Sequence, residues 1–176
     1  MKITLIGSPD DKAWLGVKQR ALVTIGKEAK TLPDSQWKHD ILVSRHSPIR
    51  YLVFSFYIEG IPSWVSVHLT RHKHAEPYVK SQRNDRQGEY DRNDAPQNAP
   101  VNMIWDLNAE ELMTVANKRL CSCASPETRQ VVMEICRLAE EAVPELRGLL
   151  VPYCAANNGK CNEVFSDCER YKTYLK

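Results

Sequence analysis

The stretch "YLVFSFYIEG", residues 51–60, is the feature that most constrains how this chain folds. Its residues are largely aromatic and branched apolar types, and a glycine closes it. Such residues favour an extended strand. Successive side chains of a strand point to opposite faces, and here apolar residues fall on both faces. The pattern therefore predicts a strand that is buried on both sides.

The length and charge of the chain bound its class. With 176 residues and 43% hydrophobic residues, the chain fits one domain with a true core, which we place at residues 1–150, before a Cys-containing tail at residues 151–176. The net charge is only +2, from 24 basic and 22 acidic residues, which argues against a nucleic-acid-binding coat. No apolar run approaches the ~18 residues of a membrane span, and the N-terminus lacks signal-peptide features, so we expect a cytoplasmic protein.

Local signals predict alternating strands and helices. The segment "KITLI" reads as a strand, and "VNMIWDL" reads as a strand or as an extended entry into a helix. The residues 84–100 are polar and rich in Pro, Asn and Asp, which predicts a loop. Helix starts are predicted, from capping residues and first-turn prolines or acids, at Ser8, Pro33, Ser63, Asn108 and Ser125.

One internal segment, "LTRHKHAEPYVKSQRNDRQ" at residues 69–87, concentrates positive charge. It holds five Lys or Arg and two His against two acids. Cations at residues 71–73 follow an apolar helix and could simply complement its C-terminal dipole. Ser81 and Arg83, two apart on an extended chain, point the same way, as a phosphate or carboxylate clamp requires. Because the overall charge is near neutral, the local charge favours a site for a small anion.

The same segment resembles the signature of the flavin-dependent thymidylate synthases, which is Arg-His-Arg, seven residues, Ser, and an Arg two further on. Here "RHK" at residues 71–73 is followed by seven residues, Ser81 and Arg83. Upstream, "HSPIRYLVFSFYI" resembles the family's segment before this signature, with Arg50 and Tyr51 where Glu-His is usual. Downstream, Arg92, Pro96, "VNMIWDL", "NAEELM" and Arg119 follow in the family's order. The resemblance covers roughly residues 40–146.

The resemblance implies a fold and a reaction. The fold would be α+β, with an antiparallel twisted sheet flanked by helices, in a homotetramer whose active sites are shared between subunits. The reaction would convert dUMP to dTMP, with methylenetetrahydrofolate as carbon donor and reducing equivalents from NAD(P)H through FAD. One alternative is the same scaffold acting on dCMP or adding a hydroxymethyl group. Another is a small nucleic-acid-binding protein that uses residues 69–87, with Tyr78 for stacking.

The resemblance also assigns residues. Flavin contacts fall on Arg71, His72, Lys73, Asn108 and Tyr51. Substrate binding falls on Ser81, Arg83, Arg92, Arg119 and His68. Catalytic roles fall on Arg119, which would face the uracil and stabilise its developing charge, and on Ser81, which would contact the nucleotide. Several positions depart from the family: Lys73 for Arg, His68 for Gln, Tyr51 for His, Glu110 for Arg and Cys123 for His.

The cysteines leave one further question open. Cys154, Cys161 and Cys168 are each separated by six residues, whereas zinc sites usually use pairs roughly two to four apart. They could bind zinc with a fourth ligand from Cys121, Cys123 or Cys136, or they could be free thiols on a mobile tail. The spacing favours free thiols, and no metal is predicted.

Overall fold

A four-stranded antiparallel sheet with the order β1-β2-β4-β3 organises the fold. The structure is a computed structural model that describes residues 1–86, 88, 91–163 and 168. The strands are β1 Lys2–Gly7, β2 Val53–Pro62, β3 Ala75–Val79 and β4 Pro100–Asn108. The α-helices are α1 Asp11–Val23, α2 Ser35–Val43, α3 Ser63–Leu69, α4 Ala109–Arg119, α5 Pro126–Ala142 and α6 Tyr153–Ala156. Short 3-10 turns occupy Ser47–Tyr51, Asn84–Arg86 and Pro144–Leu146. The predicted α+β fold with an antiparallel sheet is confirmed.

The strand predicted from residues 51–60 is β2, which lies between β1 and β4. Its inward side chains Phe54, Phe56 and Ile58 are fully buried. The prediction of burial on both faces is wrong, because Val53 on the opposite face is 50% exposed. Burial alternates along β2 and β4 because the helices cover one face of the sheet. That covered face, with its helices, forms the core.

Strand β3 was not predicted from the sequence, which shows only a segment containing Pro77 there. Proline cannot donate a hydrogen bond to a neighbouring strand, so it is tolerated mainly in edge strands. The structure places β3 at the edge of the sheet, paired only with β4 among the described strands. Pro77 is therefore compatible with this strand.

The helix starts are confirmed where side chains cap them. Asn108 Oδ1 accepts the Glu111 N–H at 2.9 Å, and Ser125 Oγ accepts the Thr128 N–H at 3.4 Å. The start predicted at Ser8 is wrong. Helix α1 begins at Asp11, and Asp10 caps it by accepting the Ala13 N–H at 2.8 Å. A carboxylate is favoured at the positive end of a helix over a neutral hydroxyl.

Helix α3 ends at Leu69, so His72 lies in the turn that follows it. The His72 ring packs edge-on against Trp105 of β4, with ring centres 6.1 Å apart. This turn brings His72 against Glu111 and Arg119 of α4.

The chain continues beyond α5 into the cysteine-bearing region. Asn117 of α4 donates to the Val151 carbonyl at 2.7 Å, and α6 follows two residues later. Residues 151–156 are thus tied to the helical layer, while the domain boundary at residue 150 stays a prediction. In the described part of the chain, no helix combines the length and the apolar character needed to cross a membrane.

Candidate active site

A cleft of about 340 Å³ opens beside α3. Small-molecule pockets usually range over roughly 300–1,000 Å³, so the cleft has room for a small ligand. One wall consists of Ser63, Trp64, Val67 and His68 of α3, with Arg71 just beyond the helix. The other wall consists of Gln82 and residues 95–97. Two of the predicted site residues, His68 and Arg71, therefore face the same space.

Hydrogen bonds hold the loop that ends at residue 99, and Gln82, against the start of α3. The Ser63 N–H donates to the Ala99 carbonyl at 3.0 Å, and the Trp64 N–H donates to the Gln97 carbonyl at 3.4 Å. The Gln82 amide donates to Ser63 Oγ at 3.4 Å. A helix start leaves N–H groups without intrahelical partners, and here the loop carbonyls accept two of them. The same contacts define the width of the cleft.

Arg119 lies behind the cleft, at the last turn of α4. Its Nη2 donates to the His68 carbonyl at 2.7 Å, and its Nε donates to His72 Nε2 at 3.0 Å. Burial, and then the nearby charge of Arg71, lower the pKa of Arg119. The structure thus brings together Arg71 and Arg119, two cations whose repulsion an anionic ligand would relieve.

His72 is buried, with its side chain 7% exposed. Its Nδ1 lies 3.1 Å from Glu111 Oε1, and its Nε2 accepts from Arg119. Burial, followed by the charges of Arg119 and Lys118, lowers the pKa of His72 to about 4. Both ring nitrogens therefore have partners inside the protein, and the predicted contact of His72 with a flavin stays a prediction. Lys73, the next residue, is exposed.

Ser81 and Arg83 lie next to Gln82 but outside the lining of the cleft. The Arg83 N–H donates to Ser81 Oγ at 3.2 Å. The Arg83 guanidinium makes a bidentate pair with Asp85, with Nε–Oδ1 at 2.9 Å and Nη2–Oδ2 at 2.7 Å. The expected anion clamp is thus filled by a carboxylate of the chain itself. A ligand phosphate at Arg83 would have to displace or share this carboxylate.

Arg92 is exposed and belongs to the same local network. Its N–H donates to Asn84 Oδ1 at 3.1 Å, and the Asn84 amide donates to Asp91 at 3.3 Å. These bonds tie the two ends of the segment between residues 84 and 92. They bring Arg92 close to Asn84, the residue that follows Arg83, but Arg92 does not line the cleft.

The two remaining predicted flavin residues lie in the turn before β2 and at the start of α4. Asn108 caps that helix, and Tyr51 is 44% exposed in the turn before β2. The Arg20 guanidinium stacks over the Tyr51 ring at 3.6 Å from its centre. Gly16 lets the ring approach α1, since a Cβ there would lie 2.5 Å from Tyr51 Cε1. Neither Tyr51 nor Asn108 lines the cleft, and their contact with a cofactor stays a prediction.

Three residues of this region were not assigned from the sequence. Trp64 and Gln82 line the cleft, and Glu111 contacts His72. Trp64 was visible as an aromatic residue in the first turn of a predicted helix. Glu111 carried a weaker signal: a Glu three residues after Asn108 reads as a capping box, in which its side chain would turn back to the helix start. The structure sends that carboxylate into the interior instead.

The cysteines show no metal arrangement in the described part of the chain. There, no group of three or more His, Cys, Asp or Glu residues is placed to hold a metal ion. Ser122 Oγ donates to Cys168 Sγ at 2.8 Å. Burial is the main reason that the pKa of Cys121 is raised, with Cys123 close by. The alternative of a zinc site has no support from these contacts.

The fold is that of a known class of α+β enzyme structures. The chain resembles the crystal structure of thymidylate synthase X (ThyX) from Helicobacter pylori, solved with FAD and dUMP, with a TM-score of 0.67. The likeness covers 85% of this chain and 99% of that one, at 14% sequence identity. At this identity the likeness establishes the fold alone. No curated protein sequence matches the chain.

The family is supported by a second, independent finding. The family model described as thymidylate synthase complementing protein matches residues 84–145, which run from the loop beside the cleft through β4, α4 and α5. This match agrees with the resemblance drawn from the signature at residues 71–83, over residues that lie outside that signature.

Proposed function

We propose that this chain is a flavin-dependent thymidylate synthase-like enzyme that methylates dUMP to dTMP. Methylenetetrahydrofolate would supply the carbon, and NAD(P)H would supply reducing equivalents through FAD. The observation that carries the proposal is that His68 and Arg71 line one open cleft, while Arg119 behind it donates to the His68 carbonyl. It agrees with the family match and with a shared fold that, in the Helicobacter pylori structure, binds FAD and dUMP.

The residues at the cleft suit an anionic nucleotide. Guanidinium groups bind phosphates and polarised carbonyls through two parallel hydrogen bonds. Arg119 already uses Nε and Nη2 within the protein, which fixes the plane of its guanidinium before a ligand arrives. A preorganised donor of this kind stabilises charge as it develops on a pyrimidine ring. Ser81 and Arg83 would approach the sugar and phosphate from the strip beside Gln82.

The positively charged residues after α3 also suit the binding of a flavin cofactor. Arg71 and Lys73 are exposed cations next to one another in the turn after α3, where they could hold the pyrophosphate of FAD. Tyr51 and Asn108 would add contacts at the start of α4, and His72 would act from the interior. When bound, the flavin supplies the redox chemistry, while the protein binds and orients the reacting groups.

The assembly proposed is a homotetramer with active sites shared between subunits. The sheet face opposite the helices supports association, because in the described part of the chain Ile6, Val53 and Tyr78 expose 53%, 50% and 61% of their surfaces. Apolar side chains grouped on one uncovered sheet face are typical of interfaces. Light scattering coupled to size exclusion measures the mass directly, and a 20.2 kDa species at working concentration would contradict the tetramer.

A second candidate function is a related reaction on the same scaffold, because the site departs from the family at several positions. Glu110 and Cys123 replace residues that the resemblance assigns as Arg and His. Changes at this number of positions could fit dCMP as substrate or hydroxymethyl transfer as reaction. The retained Arg119, Arg83 and Ser81 support a pyrimidine nucleotide in either case.

Mass spectrometry of the nucleotide products tests both readings together. Purified protein is incubated with FAD, NADPH and methylenetetrahydrofolate, and with dUMP or dCMP in separate reactions. The proposal expects dTMP from dUMP, lost when any one component is omitted. A methylated or hydroxymethylated dCMP would establish the second reading. Protein that takes up no FAD and forms no product from either nucleotide would refute the enzyme.

A further inference from the structure

Glu111 is a carboxylate buried in the first turn of α4. The residue is 5% exposed, although the first turn of a surface helix usually directs acids to water. Burial is the main cause that raises the pKa of Glu111. A buried carboxylate is strongly destabilising unless it is paired and hydrogen-bonded. Its oxygen Oε1 lies 3.1 Å from His72 Nδ1, 39 residues away in sequence.

The hydrogen bonds around His72 determine where its proton lies. A guanidinium has donors and no acceptors, so Arg119 Nε can approach His72 Nε2 at 3.0 Å only by donating to it. Nε2 therefore carries no hydrogen, and the neutral ring carries its proton on Nδ1. Nδ1 faces Glu111 Oε1, which accepts that proton's hydrogen bond. The imidazole of His72 thus accepts a hydrogen bond from Arg119 and donates one to the Glu111 carboxylate.

Burial, and then the positive charges that face His72, keep the ring neutral. Arg119 and Lys118 of α4 act on it electrostatically, and Trp105 of β4 packs against its edge. With a pKa of about 4, the ring is uncharged near neutral pH. A neutral ring can accept from Arg119, whereas a doubly protonated ring would present N–H to N–H.

We propose that Glu111 is a positioning residue for Arg119. By accepting the Nδ1 proton of His72, Glu111 selects the tautomer whose Nε2 can hold the guanidinium of Arg119. Nη2 of the same guanidinium is then held at the His68 carbonyl, 2.7 Å away, beside the cleft. The catalytic part of this inference rests on the proposed function, in which Arg119 stabilises charge on the pyrimidine.

The removal of the carboxylate should release this arrangement. In Glu111→Leu, Nδ1 loses its acceptor, so the proton can move to Nε2 and the bond from Arg119 is lost. Glu111→Gln retains an acceptor oxygen of the same reach and should preserve the tautomer. Glu140→Leu is the matched control, because Glu140 is also a partly buried acid whose pKa burial raises, but it lies on α5.

The tautomer is measured without any reaction. Histidine labelled with ¹⁵N in the whole protein gives long-range proton–nitrogen correlations that distinguish Nδ1–H from Nε2–H, and His72→Asn assigns the signal. We expect Nδ1–H in the wild type, Glu111→Gln and Glu140→Leu. Glu111→Leu should show Nε2–H or a mixture. An Nε2–H ring in the wild type, or an unchanged Nδ1–H ring in Glu111→Leu, would overturn the inference.

Kinetics then test the effect on Arg119. Loss of an outer partner of a functional side chain typically costs about 10–100-fold in activity. We expect Glu111→Leu to lose that factor in kcat with a smaller change in KM for dUMP, and Glu111→Gln to retain most activity. In an Arg119→Lys background, the same Leu substitution should cost much less, since its target is already altered. Equal losses in both backgrounds, or full activity of Glu111→Leu, would overturn the positioning role.

The two proposals fail in distinguishable ways. A wild-type protein that shows Nδ1–H at His72 but forms no nucleotide product refutes the proposed function and, with it, the catalytic part of this inference. An active wild type in which Glu111→Leu changes neither tautomer nor kcat refutes the role of Glu111 alone.

Discussion

Arg50 and Glu110 form an ion pair that joins the turn before β2 to the first turn of α4. Arg50 Nε donates to Glu110 Oε2, and Nη2 donates to Oε1 at 3.3 Å. The resemblance assigns Glu to position 50 and Arg to position 110 in the family. Against that pattern the two charges stand in exchanged positions, and the structure shows them in contact.

The exchange predicts a pattern in variants. Arg50→Glu or Glu110→Arg alone should lower the melting temperature and weaken FAD binding, because two like charges would then face each other at the start of α4. The double variant Arg50→Glu with Glu110→Arg should recover most of both losses. Thermal unfolding and flavin fluorescence titration measure these effects. Additive losses in the double variant would contradict a compensating pair.

Local sequence signals predicted a large part of the secondary structure. The elements β2, α4 and α5 were predicted because each carries an apolar pattern of its own period, and Asn108 and Ser125 carry caps that act within three residues. These signals are local, and the structure keeps them. Local signals did not predict strand β3, which contains Pro77. Whether a strand can contain proline depends on its position in the sheet, and β3 lies at an edge.

The site was predicted less completely, for a physical reason. The resemblance over the signature at residues 71–83 and its flanks assigned Arg71, His68 and Arg119, and the structure brings these together. It gave no sign that Glu111 would meet His72, because that contact joins residues far apart in sequence through a buried interior. Asp85, which pairs with Arg83, is close to it in sequence. The local sequence still does not determine whether Arg83 binds this carboxylate or a ligand.

Asp85 is expected to compete with the nucleotide for Arg83. The pair is exposed, with side chains 59% and 58% accessible, so it is worth no more than about 1 kcal/mol. Asp85→Asn should therefore tighten dUMP binding up to about fivefold if Arg83 contacts the phosphate. Isothermal titration at low salt measures the dissociation constant, and Asp94→Asn in the exposed loop is the control. Unchanged affinity in both Asp85→Asn and Arg83→Ala would remove Arg83 from the binding site.

Arg119 is expected to act on turnover rather than on the cofactor. Arg119→Ala removes a charged donor held in place by His72 and His68, and should lower kcat about 10²–10³-fold. Arg119→Lys keeps the charge but not the planar fork, so it should restore only part of the rate. Flavin absorbance of both variants should equal that of the wild type. The exposed Arg147→Ala serves as control, and near-normal dTMP formation by Arg119→Ala would refute the assigned role.

His72 should make folding stability depend on pH in a defined window. Its ordinary pKa of 6.5 falls to about 4 in the folded protein, so between these values the unfolded chain binds the extra proton. Stability attributable to His72 is then complete above about pH 6.5 and is lost as the pH falls toward 4, by roughly 2–3 kcal/mol. The raised pKa of Glu111 acts in the opposite direction across its own range, so the His72 effect must be isolated by difference.

The difference is taken between the wild type and His72→Asn. Chemical unfolding at several pH values gives the free energy of unfolding for each, and Glu111 is present in both proteins. The wild type should lose stability faster than His72→Asn as the pH falls from 6.5 to 4. Substitution of the exposed His46 by Gln should leave the wild-type slope intact. Parallel curves for the wild type and His72→Asn would show that His72 gains its proton equally in both states, which its burial between Arg119 and Trp105 does not allow.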